Sequence, residues 1–355
     1  MQTSAIFQKL PQALLPWYAA YQRALPWRED RDPYHIWVSE IMLQQTRVEA
    51  VKGYYSRFLG VFPTIDALAN AEDDLLHKLW EGLGYYNRVR NMKKAAQILA
   101  ETYGGEFPKD YSEILSLPGI GEYTAGAICS IAFDHPTPAV DGNVLRVISR
   151  LTNDHTVVDL PAYKKQVRDA LVQIYPQKAG DFTQALMELG ATVCGPNRKP
   201  DCANCPCNTF CLALQQGTAE RLPVRAPKKG KRPEKMTVFI LRCADRYALQ
   251  KRPDTGLLAG LWQFPYVSGK LETQAALSAV EKMGMKTREI TRILEREHIF
   301  THVIWHMRGV YMEVAETNDR FAWLTAEQID KEAALPTAFR QVWDAKLTIV
   351  EEDTV

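Results

Sequence analysis

Residues 225–235, RAPKKGKRPEK, divide this 355-residue chain into two stretches that cannot share one secondary-structure period. From about Leu10 to Leu214, apolar residues recur at three- and four-residue spacing, and Gly or Pro interrupts every fifteen to twenty residues. That is the pattern of a helical domain. After Met236 the segments TVFILRC, YALQKR, LWQFPYV and HVIWHMRGVYMEV are rich in β-branched and aromatic residues, as strands are. Helical segments at 273–284 and 325–331 make this second part an α+β domain. The dividing run holds six basic residues against one acidic and has no apolar periodicity. It reads as a solvated linker, which is compatible with contact to phosphates. The expected organisation is multidomain: an all-α domain over 1–217, a basic linker over 218–235 and an α+β domain over 236–355.

The length suffices for two cores. Net charge is +1, so a nucleic-acid partner has to be met by a local basic surface rather than by a global excess. No run approaches eighteen uncharged apolar residues, and no membrane span is expected. The opening MQTSAIFQKLPQALLPWY carries a lysine and prolines where a signal peptide needs an unbroken apolar core. A cytoplasmic location is expected.

Asp32-Pro33 predicts an N-cap followed by a first-turn proline. The helix it opens is expected to run through Val38, Ile41, Met42, Val48, Val51, Tyr55 and Phe58. Glu40 lies beside this apolar stripe, where a carboxylate could point into a cleft. Further helices are expected at 65–71, 73–82, 86–103, 111–116, 122–133, 142–151, 161–175, 180–193 and 208–216.

The stretch LPGIGEYTAGAICSIAFDHPTPAVDGNV, Leu117 to Val144, joins two features. Gly119 and Gly121 permit a tight turn with close backbone approach, and the helix after them offers unpaired N–H groups to a phosphate. Alone, PGIG reads as a helix–helix turn with no ligand. Asp141 downstream strengthens the phosphate reading. Asp141 is itself a good N-cap; capping does not exclude catalysis, because a helix N-terminus favours the ionised carboxylate. On spacing alone, capping is the preferred reading.

Seven cysteines are present, and five crowd together as Cys194-x7-Cys202-x2-Cys205-x5-Cys211, with Cys207 inside the last interval. In a cytosolic chain such clustering points to metal rather than disulfides. Four thiolates can hold zinc or an iron–sulfur cluster. Only one C-x2-C knuckle is present, and zinc ribbons use two, so the spacing favours [4Fe–4S] with Cys194, Cys202, Cys205 and Cys211 as ligands. Cys129 and Cys243 read as core residues.

The hairpin LPGIGEYTAG with Asp141 and the cysteine run resemble the helix-hairpin-helix DNA glycosylase superfamily with its iron–sulfur loop. VSEIMLQQTRV (38–48), WEGLGYYNRVRN (80–91) and AVDGNVLRV (139–147) resemble the adenine DNA glycosylases of the MutY type. KRPDTGLLAGLWQFP (251–265) and IFTHVIW (299–305) are similar to that family's Nudix-like domain. The resemblance covers nearly the whole chain. It implies a six-helix module at about 30–134 and an iron–sulfur module made from the N-terminal residues plus 135–217. It also implies a Nudix-like domain over 236–355 that senses 8-oxoguanine.

The implied activity is excision of adenine mispaired with 8-oxoguanine or guanine, in double-stranded DNA, by a monomer working at the nucleoid. Glu40 takes the role of general acid. Asp141 stabilises or attacks the sugar cation, and Asn143 orients water or Asp141. Physical chemistry agrees: adenine leaves poorly unless protonated, a glutamate in a dry pocket has a raised pKa, and an ionised carboxylate can stabilise an oxocarbenium. The adenine must be flipped out of the duplex, with Gln45 and Tyr85 implied as wedges and Thr46 and Leu83 as neighbours. Arg198 and Lys199 in the cysteine loop are implied to meet the phosphate backbone.

Strand-cleaving relatives carry a lysine at hairpin position 123, where its amine forms a Schiff base. Tyr123 cannot, which implies a monofunctional enzyme. The sensing loop of the family reads Phe-Ser-His; here it is Phe300-Thr301-His302, with an added methyl. Residues 272–286 lack the carboxylate array of a Nudix hydrolase, so nucleotide hydrolysis is not expected. Two rivals stand beside this reading: an endonuclease III-like glycosylase and lyase, and a non-enzymatic iron–sulfur DNA-binding protein. Tyr123 and the extra domain count against the first, and the Glu40–Asp141 pair against the second.

Overall fold

Asp32 caps the second helix as its sequence requires, its carboxylate accepting from the Tyr34 N–H at 2.8 Å with Pro33 in the first turn. The computed structural model describes residues 2–196, 199–227 and 230–345. They form two units, residues 1–70 with 90–228 and residues 71–89 with 229–355. Among the described residues, no helix is long and apolar enough to cross a membrane.

The helices in chain order are α1 (Gln2–Tyr21), α2 (Pro33–Leu43), α3 (Val48–Val61), α4 (Ile65–Ala69), α5 (Asp73–Leu79), α6 (Asn87–Tyr103), α7 (Tyr111–Ser116), α8 (Glu122–Phe133), α9 (Gly142–Thr152), α10 (Pro161–Val172), α11 (Ala179–Glu188) and α12 (Leu212–Gln215). The helix expected from Pro33 through Phe58 is broken. Gln45 sits at φ +59°, and α3 starts afresh at Val48. The two halves need different orientations, because α2 is buried on nearly every side whereas α3 buries only the face of Val51, Tyr55 and Phe58. No Gly or Pro marks the break.

In the first unit α2 packs on α8 and α3, and α11 packs on α1, α8 and α9. One core gathers Leu10 and Leu14 of α1, Val144, Val147 and Leu151 of α9, and Phe182 and Leu186 of α11. The expected helix at 180–193 changes type: after Glu188 a π-helical turn spans Leu189–Val193. The linker is shorter than expected from its composition. Val158 N donates to Val224 O at 3.0 Å and Arg150 Nε to Leu222 O at 3.0 Å, so residues 222–226 are docked on the helical unit. Strand pairing already begins at Arg232.

The second unit holds a seven-stranded sheet: β1 (Arg232–Cys243), β2 (Arg246–Lys251), β3 (Trp262–Gln263), β4 (Tyr266–Ser268), β5 (Thr287–Ile299), β6 (Val303–Val314) and β7 (Ala322–Thr325). The main order is β3-β2-β1-β6-β5, with β4 on β1 and β7 on β2; β1 and β6 run parallel. Alternate β1 residues enter two cores. Met236, Val238 and Ile240 meet Phe339 and Trp343, whereas Phe239 and Leu241 meet Val280 and Met283. Helices α13 (Thr273–Lys282) and α15 (Thr337–Asp344) bury their apolar faces; α14 (Ala326–Lys331) begins with a capping box on Thr325. Strands β5 and β7 and helix α15 are not among the elements expected from the sequence. β5 is an edge strand whose text, TREITRILEREHI, carries six charged residues among thirteen, which is how edges resist illicit pairing.

Ala71–Val89, helical by sequence and inside the expected 1–217 domain, lies instead with this second unit. Asp74 pairs with Lys251 at 2.8 Å, Glu81 pairs with Arg340 at 2.7 Å, and the Tyr85 hydroxyl meets that of Thr301 at 2.8 Å.

Candidate active site

A cavity of about 570 Å3 opens in the helical unit, and Glu40, Tyr123, Asp141 and Asn143 all line it. Helix α2 supplies Glu40, the start of α8 supplies Tyr123, and the start of α9 supplies the other two. The Tyr123 hydroxyl donates to Glu40 Oε2 at 2.6 Å. Burial pushes the Glu40 carboxyl up to about 7; the Tyr123 bond holds it down, the negative charge of Asp141 raises it, and Arg28 lowers it. Tyr123 is therefore more than the absence of a lysine: it is the hydrogen-bond partner of the glutamate.

Asp141 caps its helix as expected and also lines the cavity. Its Oδ1 caps α9 by accepting from Val144 N at 2.8 Å, and its Oδ2 accepts from Asn143 Nδ2 at 2.7 Å. Burial raises its pKa above the ordinary carboxylate value, and these hydrogen bonds limit the rise without reversing it. Asn143 is fixed in turn. Its Oδ1 accepts from Arg146 at 2.7 Å, and Gly190 of the π turn is so close that a Cβ there would stand 2.7 Å from Asn143 Cβ. Arg146 also donates to Gly190 O and to Cys194 O, both at 2.8 Å, and Arg150 reaches Cys194 Sγ at 3.1 Å.

Cys194, Cys202, Cys205 and Cys211 line a second, smaller cavity together. The seven-residue interval thus keeps Cys194 with the other three. Cys207 points away into the core, is fully buried, and hydrogen-bonds Cys205. Among the described residues, no three His, Cys, Asp or Glu side chains are grouped tightly enough to share one metal ion. Four thiols around one cavity, with Arg150 3.1 Å from Cys194 Sγ to balance thiolate charge, are a donor set that suits iron or zinc. Arg198 lies outside the described residues. Lys199 is exposed, its Nζ 3.9 Å from Glu220.

The hairpin glycine that the fold needs is Gly119. Its φ is +78°, and a Cβ there would lie 2.6 Å from Asn91 Cβ. Gly121 caps α8 at φ −99°, a value open to other residues. Gln45 and Thr46 line the same cavity as Glu40 and Asp141, and Gln45 is held in the left-handed region. In the second unit Tyr85 is exposed at φ +48°, while Leu83 is buried. Phe300 packs edge-on against Trp305 at 4.7 Å, and Thr301 and His302 are exposed, so His302 is not a core histidine.

Sequence reading missed the opposite wall of the cavity. Glu188 is 1% exposed and receives Arg23 through Nε at 2.6 Å and NH2 at 2.8 Å, and Arg28 at 2.9 Å. Burial alone would raise its pKa; the two arginines hold it below the ordinary carboxylate range. The signal was present, since Glu188 interrupts an apolar stripe in FTQALMELG much as Glu40 does in IWVSEIML.

The sequence matches the HhH-GPD superfamily of base excision DNA repair proteins over residues 38–177 and a NUDIX domain over residues 237–345. A thermostable thymine-DNA glycosylase of known structure superposes with a TM-score of 0.56 at 29% identity, over 61% of this chain and all of that one. Fold and cavity together define a helix-hairpin-helix base-excision glycosylase. Adenine DNA glycosylase of Rattus norvegicus is 35% identical across 93% of this chain and 76% of its own length; that of Homo sapiens is 33% identical across 93% and 72%. The chain belongs to the adenine DNA glycosylase family.

Proposed function

We infer that this protein excises adenine from mispaired double-stranded DNA in base-excision repair, by hydrolysing the N-glycosidic bond and leaving an abasic site. The observation that carries the reading is one cavity lined by two carboxyls in different settings. Glu40, raised to about 7 by burial, is available as an acid near neutrality. Asp141 is held by two hydrogen-bond donors that favour its charged form. Glu40 protonates the departing adenine, Asp141 faces the positive charge that develops on the sugar, and Asn143 keeps the Asp141 carboxylate in place. On the opposite wall, Glu188 holds the Arg28 guanidinium in place, and that cation lines the same cavity as the two carboxyls. Tyr123 supports the monofunctional reading, because a phenol forms no Schiff base.

The base opposite the adenine is read as 8-oxoguanine, or guanine with lower preference, by the exposed Thr301–His302 loop and the adjoining Tyr85 hydroxyl. Gln45, in its strained turn, fills the space left by the flipped nucleotide. Cys194, Cys202, Cys205 and Cys211 would hold a [4Fe–4S] cluster that braces the loop through residue 199. When bound, such a cluster supplies a structural tie and no step of the hydrolysis. The test is a panel of duplexes with adenine opposite each natural base and opposite 8-oxoguanine, scored for base release and for strand scission. Release of adenine, fastest opposite 8-oxoguanine and without matching scission, is expected. Absence of adenine release overturns the reading, and scission at the rate of release overturns its monofunctional part.

A further inference from the structure

Beside the catalytic cavity lies a groove lined by Lys164, Lys165 and Arg168 of α10, by Arg225 of the linker, and by Glu122 and Asp159. The two spaces adjoin, because Gly142, the residue after Asp141, lines both. Arg225 lies directly over that position: a Cβ on Gly142 would stand 3.7 Å from its guanidinium. Four cations face two carboxylates here. Arg168 is committed to Glu122 at 2.7 Å and Lys164 stands 4.0 Å from the same carboxylate. Lys165 is exposed and has no acidic partner among the described residues.

Arg225 is not a freely moving side chain on a loose tether. Val224 O accepts from Val158 N at 3.0 Å, Ala226 N donates to Asp159 Oδ2 at 2.9 Å, and the Arg225 guanidinium stands 3.5 Å from Asp159 Oδ1. These bonds hold the first half of the basic linker along the α9–α10 loop and present its cation at the mouth of the catalytic cavity.

We propose that this groove is a backbone seat in which Arg225 and Lys165 bind the DNA phosphates flanking the nucleotide in the catalytic cavity. The proposal rests on the glycosylase reading and deepens it, adding the linker to the DNA-binding surface. A sugar held at Asp141 carries its phosphates outward, and the space adjoining through Gly142 is walled by four cations against two carboxylates. Phosphate contacts of this kind position the strand without reading sequence. Each one releases condensed counterions, so affinity falls with salt in proportion to the number of contacts.

The test uses the full-length protein with its metal complement intact. Binding of a duplex carrying a non-cleavable adenine analogue is measured across a salt series for wild type, Arg225→Ala, Arg225→Lys, Lys165→Ala and Lys331→Ala. Arg225→Ala and Lys165→Ala should each weaken binding and lower the slope of log affinity against log salt by about one. Arg225→Lys should keep the wild-type slope, and Lys331→Ala, paired with Glu327 in the other unit, should match wild type. Lys165→Ala breaks no ion pair among the described residues, so its result does not depend on retained linker docking. Unchanged slopes in both alanine variants overturn the proposal and leave the groove to another occupant, such as an acidic protein segment. Adenine release by wild type is scored on the same preparations; its absence would sink the glycosylase reading instead.

Discussion

The hydroxyl of Tyr123 donates to the carboxylate of Glu40 at 2.6 Å, and the two side chains come from helices that begin 89 residues apart, at Pro33 and Glu122. The bond favours the ionised glutamate, so it opposes the burial that would keep the proton on. A general acid must carry its proton, and base release should therefore fall as pH rises through about 7. Tyr123→Phe removes the donor and should move that alkaline limb to higher pH. Single-turnover rates across pH decide this, and an unmoved limb would deny Tyr123 its role. Stability follows the same sign: with a raised folded pKa, the contribution of protonated Glu40 is full below the ordinary carboxylate pKa and is lost as pH climbs through about 7.

Glu188 runs the other way. Its folded pKa is depressed, so its contribution is present above the ordinary carboxylate range and is lost as acid protonates it. Denaturant midpoints should decline below about pH 4, and Glu188→Gln should flatten that decline. At neutral pH the same variant leaves Arg23 and Arg28 partly buried without their counter-charge, at a cost of about 3 kcal/mol. A neutral-pH midpoint equal to wild type would contradict the buried triad.

Arg146 is a positioning residue, touching Asn143 Oδ1, Gly190 O and Cys194 O at once. Arg146→Ala strips three acceptors of a charged donor and should cost about 3 kcal/mol. Base release should slow in parallel with Asn143→Ala, and iron content on purification should fall. Normal iron content with slow release would separate the two ends of this link.

Gly119→Ala places a methyl 2.6 Å from Asn91 Cβ at a φ of +78°. A loss of at least about 2 kcal/mol is expected, with weakened DNA binding, whereas Gly121→Ala should be nearly silent in stability. Equal denaturation midpoints for the two variants would refute the distinction.

In the second unit, Thr301→Ala deletes the partner of the Tyr85 hydroxyl. Discrimination between 8-oxoguanine:adenine and guanine:adenine duplexes should shrink, and Thr301→Ser should retain it. Equal discrimination in wild type and Thr301→Ala would remove the loop from the recognition surface.

What could be read in the text of the chain was chemistry tied to local spacing. Asp32-Pro33 announces a helix start, four cysteines at short intervals announce a shared cavity, and runs of β-branched and aromatic residues announce strands. Glu40 was visible because a carboxylate interrupts an apolar stripe. The Glu188–Arg23–Arg28 wall was not assembled in advance, since its partners stand 160 and 165 residues apart and meet only when α11 packs on α1. The break at Gln45 went unread because no Gly or Pro marks it; the different burial of α2 and α3 requires it. β5 went unread because the charges that protect an edge strand interrupt any run of β-branched or aromatic residues.

The π turn at Leu189–Val193 has a mechanical meaning. An inserted residue in a helix acts as a phase shifter, offsetting everything beyond it by about 100° around the axis. Glu188 lies immediately before the shifter and Cys194 immediately after it, so cavity wall and cysteine loop are timed against one another like two cams on a shaft. Deleting one residue there would leave each element locally intact and turn one of them to face the wrong way.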